Sequence, residues 1–366
     1  MEIQVEEQKK QRKQVIRRVL VVLLGFAVIA GFILFDKDVR KISDVLKQIA
    51  PVWFIGAVGC VLLYYLGETQ MYMIACKAIG LRERWYDGLI TTIIGLFYSA
   101  LTPLASGGQP FQVLQMKRRG ISVGDSICVL MVKFLAWHVA LSSFSLFSFI
   151  YRGNVLLEQS MAMFVLFLIG LAIHLFCATT GILLMINPGI VEKGGKAVIA
   201  FFGRLFNRRK PERTEKWERA YRSFVSDYEQ ATGFAKEHKG KMLLIILTAL
   251  GEVIAYMATT YFIYRGLGFR EVGFWEMTCL QAMLSISVAF IPTPGASIAS
   301  EGGFYAIFTK YFGGFRLVGM LLWRVLTYYM TILIGLVVVI ADGFRTNREN
   351  AGRLPHMEEE NQDVSC

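Results

Sequence analysis

Apolar residues along this chain fall in continuous blocks of about 17 to 30 positions, divided by short polar gaps. A helix needs about 20 such residues to cross the hydrocarbon core of a bilayer. The runs do not alternate with period two, which excludes a β-barrel and predicts an all-α polytopic membrane protein. Six blocks are long enough to cross, at about 18–35, 52–79, 124–151, 161–186, 241–264 and 316–342. A short amphipathic stretch at 38–50 follows the first.

Two further blocks break early. The block at about 87–101 runs into Thr102-Pro103-Leu104-Ala105-Ser106-Gly107-Gly108, and that at 275–291 into Thr293-Pro294-Gly295-Ala296-Ser297, then Ser300-Glu301-Gly302-Gly303. Proline and glycine clusters stop a helix and leave backbone groups that lipid cannot satisfy, so such breaks survive only inside protein or a wet cavity. Counting crossings, the first broken segment (about 87–116) enters from the cytoplasm and the second (about 275–312) from outside. The expected fold is therefore about six full transmembrane helices plus two re-entrant segments related as an inverted repeat, with a site between the halves. The expected organisation is a basic cytoplasmic N-terminus (1–17), one transmembrane domain (18–342) carrying a basic cytoplasmic loop (187–240), and a polar cytoplasmic tail (343–366).

Charge sets the orientation. The chain is 55% hydrophobic, only 18% charged, and carries a net charge of +11. The basic residues sit in the gaps, with six at 9–18 and thirteen Lys/Arg against seven Asp/Glu at 187–241. Basic loops stay in the cytoplasm and favour an anionic leaflet, so membrane orientation accounts for the charge and no nucleic-acid partner is expected. Five of the six cysteines (Cys60, Cys76, Cys128, Cys177 and Cys279) lie within apolar segments and no CxxC pair occurs. They read as small buried hydrophobes, with neither a disulfide framework nor a metal site. No cofactor is expected.

Each ionisable residue within a span costs about 2.5–3.5 kcal/mol to insert, so each is a functional candidate. The set is Glu68, Lys133, His138, His174, Glu252, Glu301 and Arg324. Lys77 and Asp342, near span ends, are expected to snorkel, and the two histidines to stand singly on apolar faces. Structural ion pairing and substrate binding both remain open for the others. In the binding reading, Lys133 and Arg324 receive a lipid phosphate, and backbone amides around Gly107-Gly108 and Gly302-Gly303 add donors at half-helix N-termini. Glu252 and Glu301 then hold a cationic head group or carry a coupling proton.

The segments SALTPLASGGQPFQVLQMKRRGIS and FIPTPGASIASEGGF, with the later Trp323-Arg324, Tyr328-Tyr329 and Gly335, resemble the lysylphosphatidylglycerol synthase transmembrane family. That family is the flippase-like membrane region of the bacterial multiple peptide resistance factor. The resemblance covers about residues 15–345. It places the family's Gly-Gly-x-Pro element on Gly107, Gly108, Gln109 and Pro110, its Pro-Gly…Glu element on Pro294, Gly295 and Glu301, and its last-span arginine on Arg324. This chain departs at Gln112, where many members carry Arg, and at Val132-Lys133, where many carry a Glu-Arg pair. The expected substrate-binding set is Ser106, Gly107, Gly108, Gln109, Pro110, Gln112, Lys133, Glu252, Thr293, Pro294, Gly295, Glu301, Gly302, Gly303 and Arg324.

The resemblance implies a translocase of the bacterial cytoplasmic membrane acting on an anionic or aminoacylated phospholipid or another lipid-linked head group. Two other readings stay open: lysyl transfer to phosphatidylglycerol with antimicrobial-peptide resistance, as the family name suggests, and a membrane partner of a separate lipid-modifying enzyme. The chain ends about 24 residues past its last span, which leaves no room for an acyltransferase fold, so lipid synthesis is not expected.

Overall fold

The computed structural model describes residues 50–206, 211–343 and 345. The span at 18–35, the basic N-terminus, all but the last residue of the amphipathic stretch at 38–50 and nearly all of the polar tail lie outside the described residues. The described chain is an all-α membrane protein. Five stretches are long and apolar enough to cross a bilayer: Pro51–Ala78 (α1), Val123–Arg152 (α4), Met161–Ile186 (α6), Lys239–Gly266 (α9) and the compound stretch Ser297–Gly343. Between them lie α2 (Trp85–Leu101), α3 (Gly108–Arg118), α5 (Asn154–Gln159), α7 (Pro188–Phe206), α8 (Pro211–Glu237) and α10 (Phe274–Val288).

The compound stretch is a hairpin rather than one rod. Helix α11 (Ser297–Phe312) turns through a 3-10 segment at Gly313–Phe315 into α12 (Arg316–Arg324), which continues through a π-helical turn at Val325–Tyr329 and on over 330–343. Gly313 has φ of +51°, a conformation that glycine adopts without a Cβ penalty. The Phe304 and Trp323 rings then stack at 5.6 Å, and Phe312 lies beside Gly319.

Helix α4 is the central rod, packed against α3, α6, α8, α9 and α10. Its 30 residues span about 45 Å at about 1.5 Å per residue. Ser122 caps its start by accepting the Asp125 N–H at 3.0 Å. At that end Gly124 lies against Asp227 and Phe224 of α8, in the basic segment. We call this end of the bundle the basic face.

The two short helical hairpins enter from opposite ends of α4. At the basic face, Arg119, three residues before Ser122, grips Glu83 through Nε at 3.0 Å and Nη2 at 3.1 Å. It also donates to the Asp87 carbonyl at 3.3 Å and to Thr91 Oγ1 at 2.6 Å. These contacts tie the end of α3 to the start of α2, so the chain that leaves the basic face through α2 returns to it through α3. At the far end of α4, Arg152 pairs with Glu276 in the first turn of α10 at 3.0 Å. Phe269, just before α10, meets Phe312 at the end of α11 and Phe315 beyond it. The second hairpin therefore leaves and rejoins the opposite face. Exposed aromatics mark the base of each hairpin, Trp85 and Tyr86 on α2 and Trp275 on α10, as in interfacial belts.

Two hydrophobic cores lie along this axis. The one nearer the basic face joins Met71–Cys76 of α1 and Ile79 just past its end with Cys128–Phe144 of α4, Tyr228 and Ala231 of α8, and Ile245–Met257 of α9. The other joins Ala57–Tyr65 of α1 with Phe167, Met283, Phe304, Phe308, Phe312 and Trp323. The helix crossings are close. A Cβ at Gly170 of α6 would stand 2.0 Å from the Ile286 carbonyl of α10.

With Cys introduced singly into a cysteine-free background, we expect an impermeant maleimide added to intact cells to label Glu158→Cys and leave Ser226→Cys unmodified. Labelling of the position-226 variant would reverse the orientation.

Candidate functional site

The two breaks meet. Pro103 and Pro294 form an antiparallel bridge between the tips of the hairpins. By about 1.5 Å per residue, the 17 residues of α2 and the 15 of α10 reach about 25 and 22 Å from their own faces. These lengths sum to about that of α4, which places the contact near the middle of the bundle.

The breaks have one local structure built from one local sequence. In the first, Ala105 N–H donates to the Thr102 carbonyl at 3.2 Å and Ser106 N–H to the Pro103 carbonyl at 3.2 Å. In the second, Ala296 N–H donates to Thr293 at 2.9 Å and Ser297 N–H to Pro294 at 3.3 Å. The Ser106 and Ser297 hydroxyls each return to the same proline carbonyl at 2.9 Å. Proline disfavours helix in the residue before it, so Thr102 is extended (φ −115°, ψ 144°) and α2 stops there. The chain then passes through left-handed backbone at Leu104 (+54°) and Ala105 (+53°) in one break, and at Gly295 (+59°) and Ala296 (+47°) in the other. Among the described residues, the three non-glycine residues with positive φ all lie in these two turns. Left-handed residues other than glycine cost about 1–3 kcal/mol each and collect where the surrounding structure demands them.

The stops are satisfied internally. Thr102 Oγ1 donates to the Tyr98 carbonyl at 2.7 Å and accepts the Gly107 N–H at 2.8 Å. In the second break Arg324 takes this role, donating to the carbonyls of Gly295 at 3.3 Å and Ser297 at 3.0 Å. Its Nε lies 3.6 Å from Glu301, and its plane is flanked by Trp323 and Tyr328. The Tyr328 hydroxyl reaches the Ala100 carbonyl at 3.1 Å, joining the last span to the end of α2. Arg324 is 5% exposed and the Glu301 side chain 31%. Pro103 to Ser106, Gln109, Pro110, Pro294 and Ile298 are exposed, so the break tips are open on one side.

Of the fifteen expected binding residues, Gly302 and Gly303 lie inside α11, and the other thirteen divide into three sets. Ser106, Gly107, Gly108, Thr293, Pro294, Gly295, Glu301 and Arg324 gather at the two breaks. Gln109 and Pro110 line a groove of about 520 Å³ with Val113 of α3 and Ile127, Leu130, Met131 and Phe134 of α4, while Gln112 turns inward to the Thr91 carbonyl at 3.3 Å. Lys133 and Glu252 lie elsewhere. Lys133 pairs with Glu68 of α1, and both are buried. By residue count along α4, Lys133 is about 15 Å from the basic face. By the same count along α12, Arg324 is about 12 Å from the opposite one.

Four expectations are corrected. Lys133 and Arg324 do not converge on one phosphate, because each belongs to a different half. Gly302 and Gly303 are not at a helix N-terminus; α11 starts at Ser297, so their amides serve the helix interior. The Gly107 and Gly108 amides are already donated, to Thr102 Oγ1 and to the Ala105 carbonyl at 3.4 Å. What glycine supplies at position 108 is contact. A Cβ there would stand 2.0 Å from Ser99 Oγ and 2.8 Å from the Gly95 carbonyl. His138 and His174 do not stand singly either; their rings lie 4.9 Å apart between α4 and α6. The residues that sequence reasoning missed are Ser297, Tyr328, Tyr64 and Tyr256. Ser297 carried a signal as the counterpart of Ser106 and Tyr328 as part of the family resemblance, whereas Tyr64 and Tyr256 carried none.

Gly295→Ala puts a Cβ 2.2 Å from the Tyr328 ring at positive φ, whereas Gly302 has nothing within 4 Å. We expect Gly295→Ala to lose about 1–3 kcal/mol, and Gly302→Ala, in a helix interior, to gain about 0.5–1 kcal/mol. Thermal unfolding in detergent reads both; equal losses would contradict the placement of the break.

The family model described as "Lysylphosphatidylglycerol synthase TM region" matches residues 22–335, which takes in both breaks and Arg324. A "UPF0104 membrane protein" of Archaeoglobus fulgidus is 23% identical over 323 residues, covering 87% of this chain and 94% of that one. With two thirds of its length and more matched by that model, the chain belongs to the lysylphosphatidylglycerol synthase transmembrane-region family.

Proposed function

We propose that the protein moves a phospholipid, or another lipid-linked head group, across the membrane through the place where the two hairpin tips meet, with the basic face in the cytoplasm. The observation that carries this is the Pro103–Pro294 contact between hairpins that start from opposite faces, with exposed residues in both turns. Helix breaks of this kind survive only inside protein or a wet cavity, and we read their open side as facing water or a polar ligand. Arg324 and Glu301 place a cation and a half-buried anion 3.6 Å apart beside those turns. Two of the five guanidinium N–H groups are engaged with carbonyls, and Nε has no hydrogen-bond partner. That pair suits a head group carrying both a phosphate and an ammonium, as an aminoacylated phospholipid does. The Ser106 and Ser297 hydroxyls lie on the same turns.

The test is a reconstituted-liposome assay with labelled phosphatidylglycerol, its lysyl ester and a polyprenyl phosphate. Acceleration of at least one is expected, and none with any of the three would contradict translocation. Arg324→Lys replaces a planar fork with a point charge. We expect it to slow exchange by about tenfold or more, the worth of one charge-assisted hydrogen bond. Arg324→Gln with Glu301→Gln removes both charges, and is expected to leave a folded, inactive protein. A stable and active double variant would reduce the pair to scaffolding.

A further inference from the structure

The second charge cluster lies away from the breaks and has an odd sum. Glu68 of α1, Lys133 of α4 and Glu252 of α9 come together between three helices. Lys133 is spoken for by Glu68. Glu252 is 3% exposed, and neither of its carboxylate oxygens has a hydrogen-bond partner. Two carboxylates facing one ammonium leave a surplus negative charge within the membrane span, and an uncompensated buried charge is strongly destabilising. One further positive charge closes the sum.

Three sources of that charge differ in what they require. A cationic head group needs access, whereas both Glu252 carboxylate oxygens are buried and α1 packs closely on that side, where a Cβ at Gly67 would stand 2.9 Å from the Glu252 Cβ. A sodium ion needs several oxygen ligands and no adjacent ammonium, whereas Lys133 lies beside both carboxylates. A proton needs only a second acceptor, and Glu68 is near enough to share one with Glu252. The titratable groups facing Glu252 are Glu68 and Tyr64 from α1 and Lys133 from α4, with Tyr256 one turn further along α9. Helix α10, also packed on α9, presents neutral Gln281 and Ser285 to Thr260 and Met257.

The cluster is joined to the break site. Tyr64 and Tyr256 are in ring contact at 4.5 Å. Tyr256 donates to the Thr327 carbonyl at 3.5 Å, within the π-helical turn that directly follows Arg324. π-Turns inside α-helices are frequent at functional sites, since they leave carbonyls free of the regular ladder.

We propose that Glu252 binds one exchangeable proton, shared with Glu68 against Lys133, and that its uptake and release drive translocation at the break site. The coupling half rests on the translocation reading above; the proton site does not. The step is simple protonation, in which a proton from water adds to the Glu252 carboxylate and later leaves it.

Two measurements on the full-length protein in liposomes test this. Infrared difference spectra over a pH titration are expected to show a carboxylic-acid carbonyl band, absent in Glu252→Gln. The band is also expected to vanish in Glu68→Gln, where Glu252 remains but becomes the ionised partner of Lys133. No titrating band, or one that survives both substitutions, overturns the proton site. The second measurement is transport of the labelled lipids with and without a pH gradient. We expect the gradient to change the rate severalfold in the wild-type protein and not in Glu252→Gln. A band with gradient-indifferent transport overturns the coupling, while failure to transport any probe rejects translocation and leaves the spectra to decide the proton site.

Discussion

The antiparallel contact of Pro103 with Pro294 is the constraint on which the rest of this structure depends. Equivalent residues of two similar segments pair with each other, in opposite directions, only about a local two-fold axis. That axis requires the hairpins to enter from opposite faces, as the Arg119–Glu83 and Arg152–Glu276 clamps show at their bases. It also requires both helices to stop at mid-depth, where stopping costs most. Prolines and left-handed residues stop them, and side chains satisfy the carbonyls and amides set free. Thr102 serves the first break from within; Arg324 serves the second from the neighbouring span. A guanidinium used in this way is held rigidly by two carbonyls and two aromatic rings, yet keeps unused donors beside the open turn.

The same axis divides the interior. Each end of the bundle has its own apolar core: Lys133 and Glu252 lie among residues of the basic-face core, and Arg324 lies beside Trp323 of the far one. Glu68 falls between the α1 residues of the far core (Ala57–Tyr65) and those of the basic-face core (Met71–Cys76). Tyr64 and Tyr256 span the gap between the two clusters with rings that pack as hydrophobes and carry a polar tip.

The architecture was legible because it is written in local chemistry. Block lengths announce the spans, and the shared Thr-Pro-x-Ala-Ser string announces two equivalent stops. The string even sets the turn's hydrogen bonds, since serine two positions after the left-handed pair begins returns to the proline carbonyl in both copies. The charge partners were not legible. Pairing of Lys133 with Glu68 depends on the relative height and rotation of α1 and α4, which neither helix's own sequence specifies. The same holds for His138 with His174. The Gly302-Gly303 pair was misplaced because it resembles the Gly107-Gly108 pair, whereas α11 begins five residues earlier on Ser297. Glycine there answers packing, at Gly303 against Leu284, rather than a turn.

The central claim is that the two hairpin tips touch. Pro103→Cys with Pro294→Cys, in a cysteine-free background with a protease site in the 207–210 segment, tests it directly. Opposed residues of an antiparallel pair hold Cβ atoms about 4.5–5.5 Å apart, close enough for oxidation to join them with little movement. After oxidation and cleavage the two fragments are expected to run as one species, and to separate on reduction. Fragments that separate without reductant would contradict the contact.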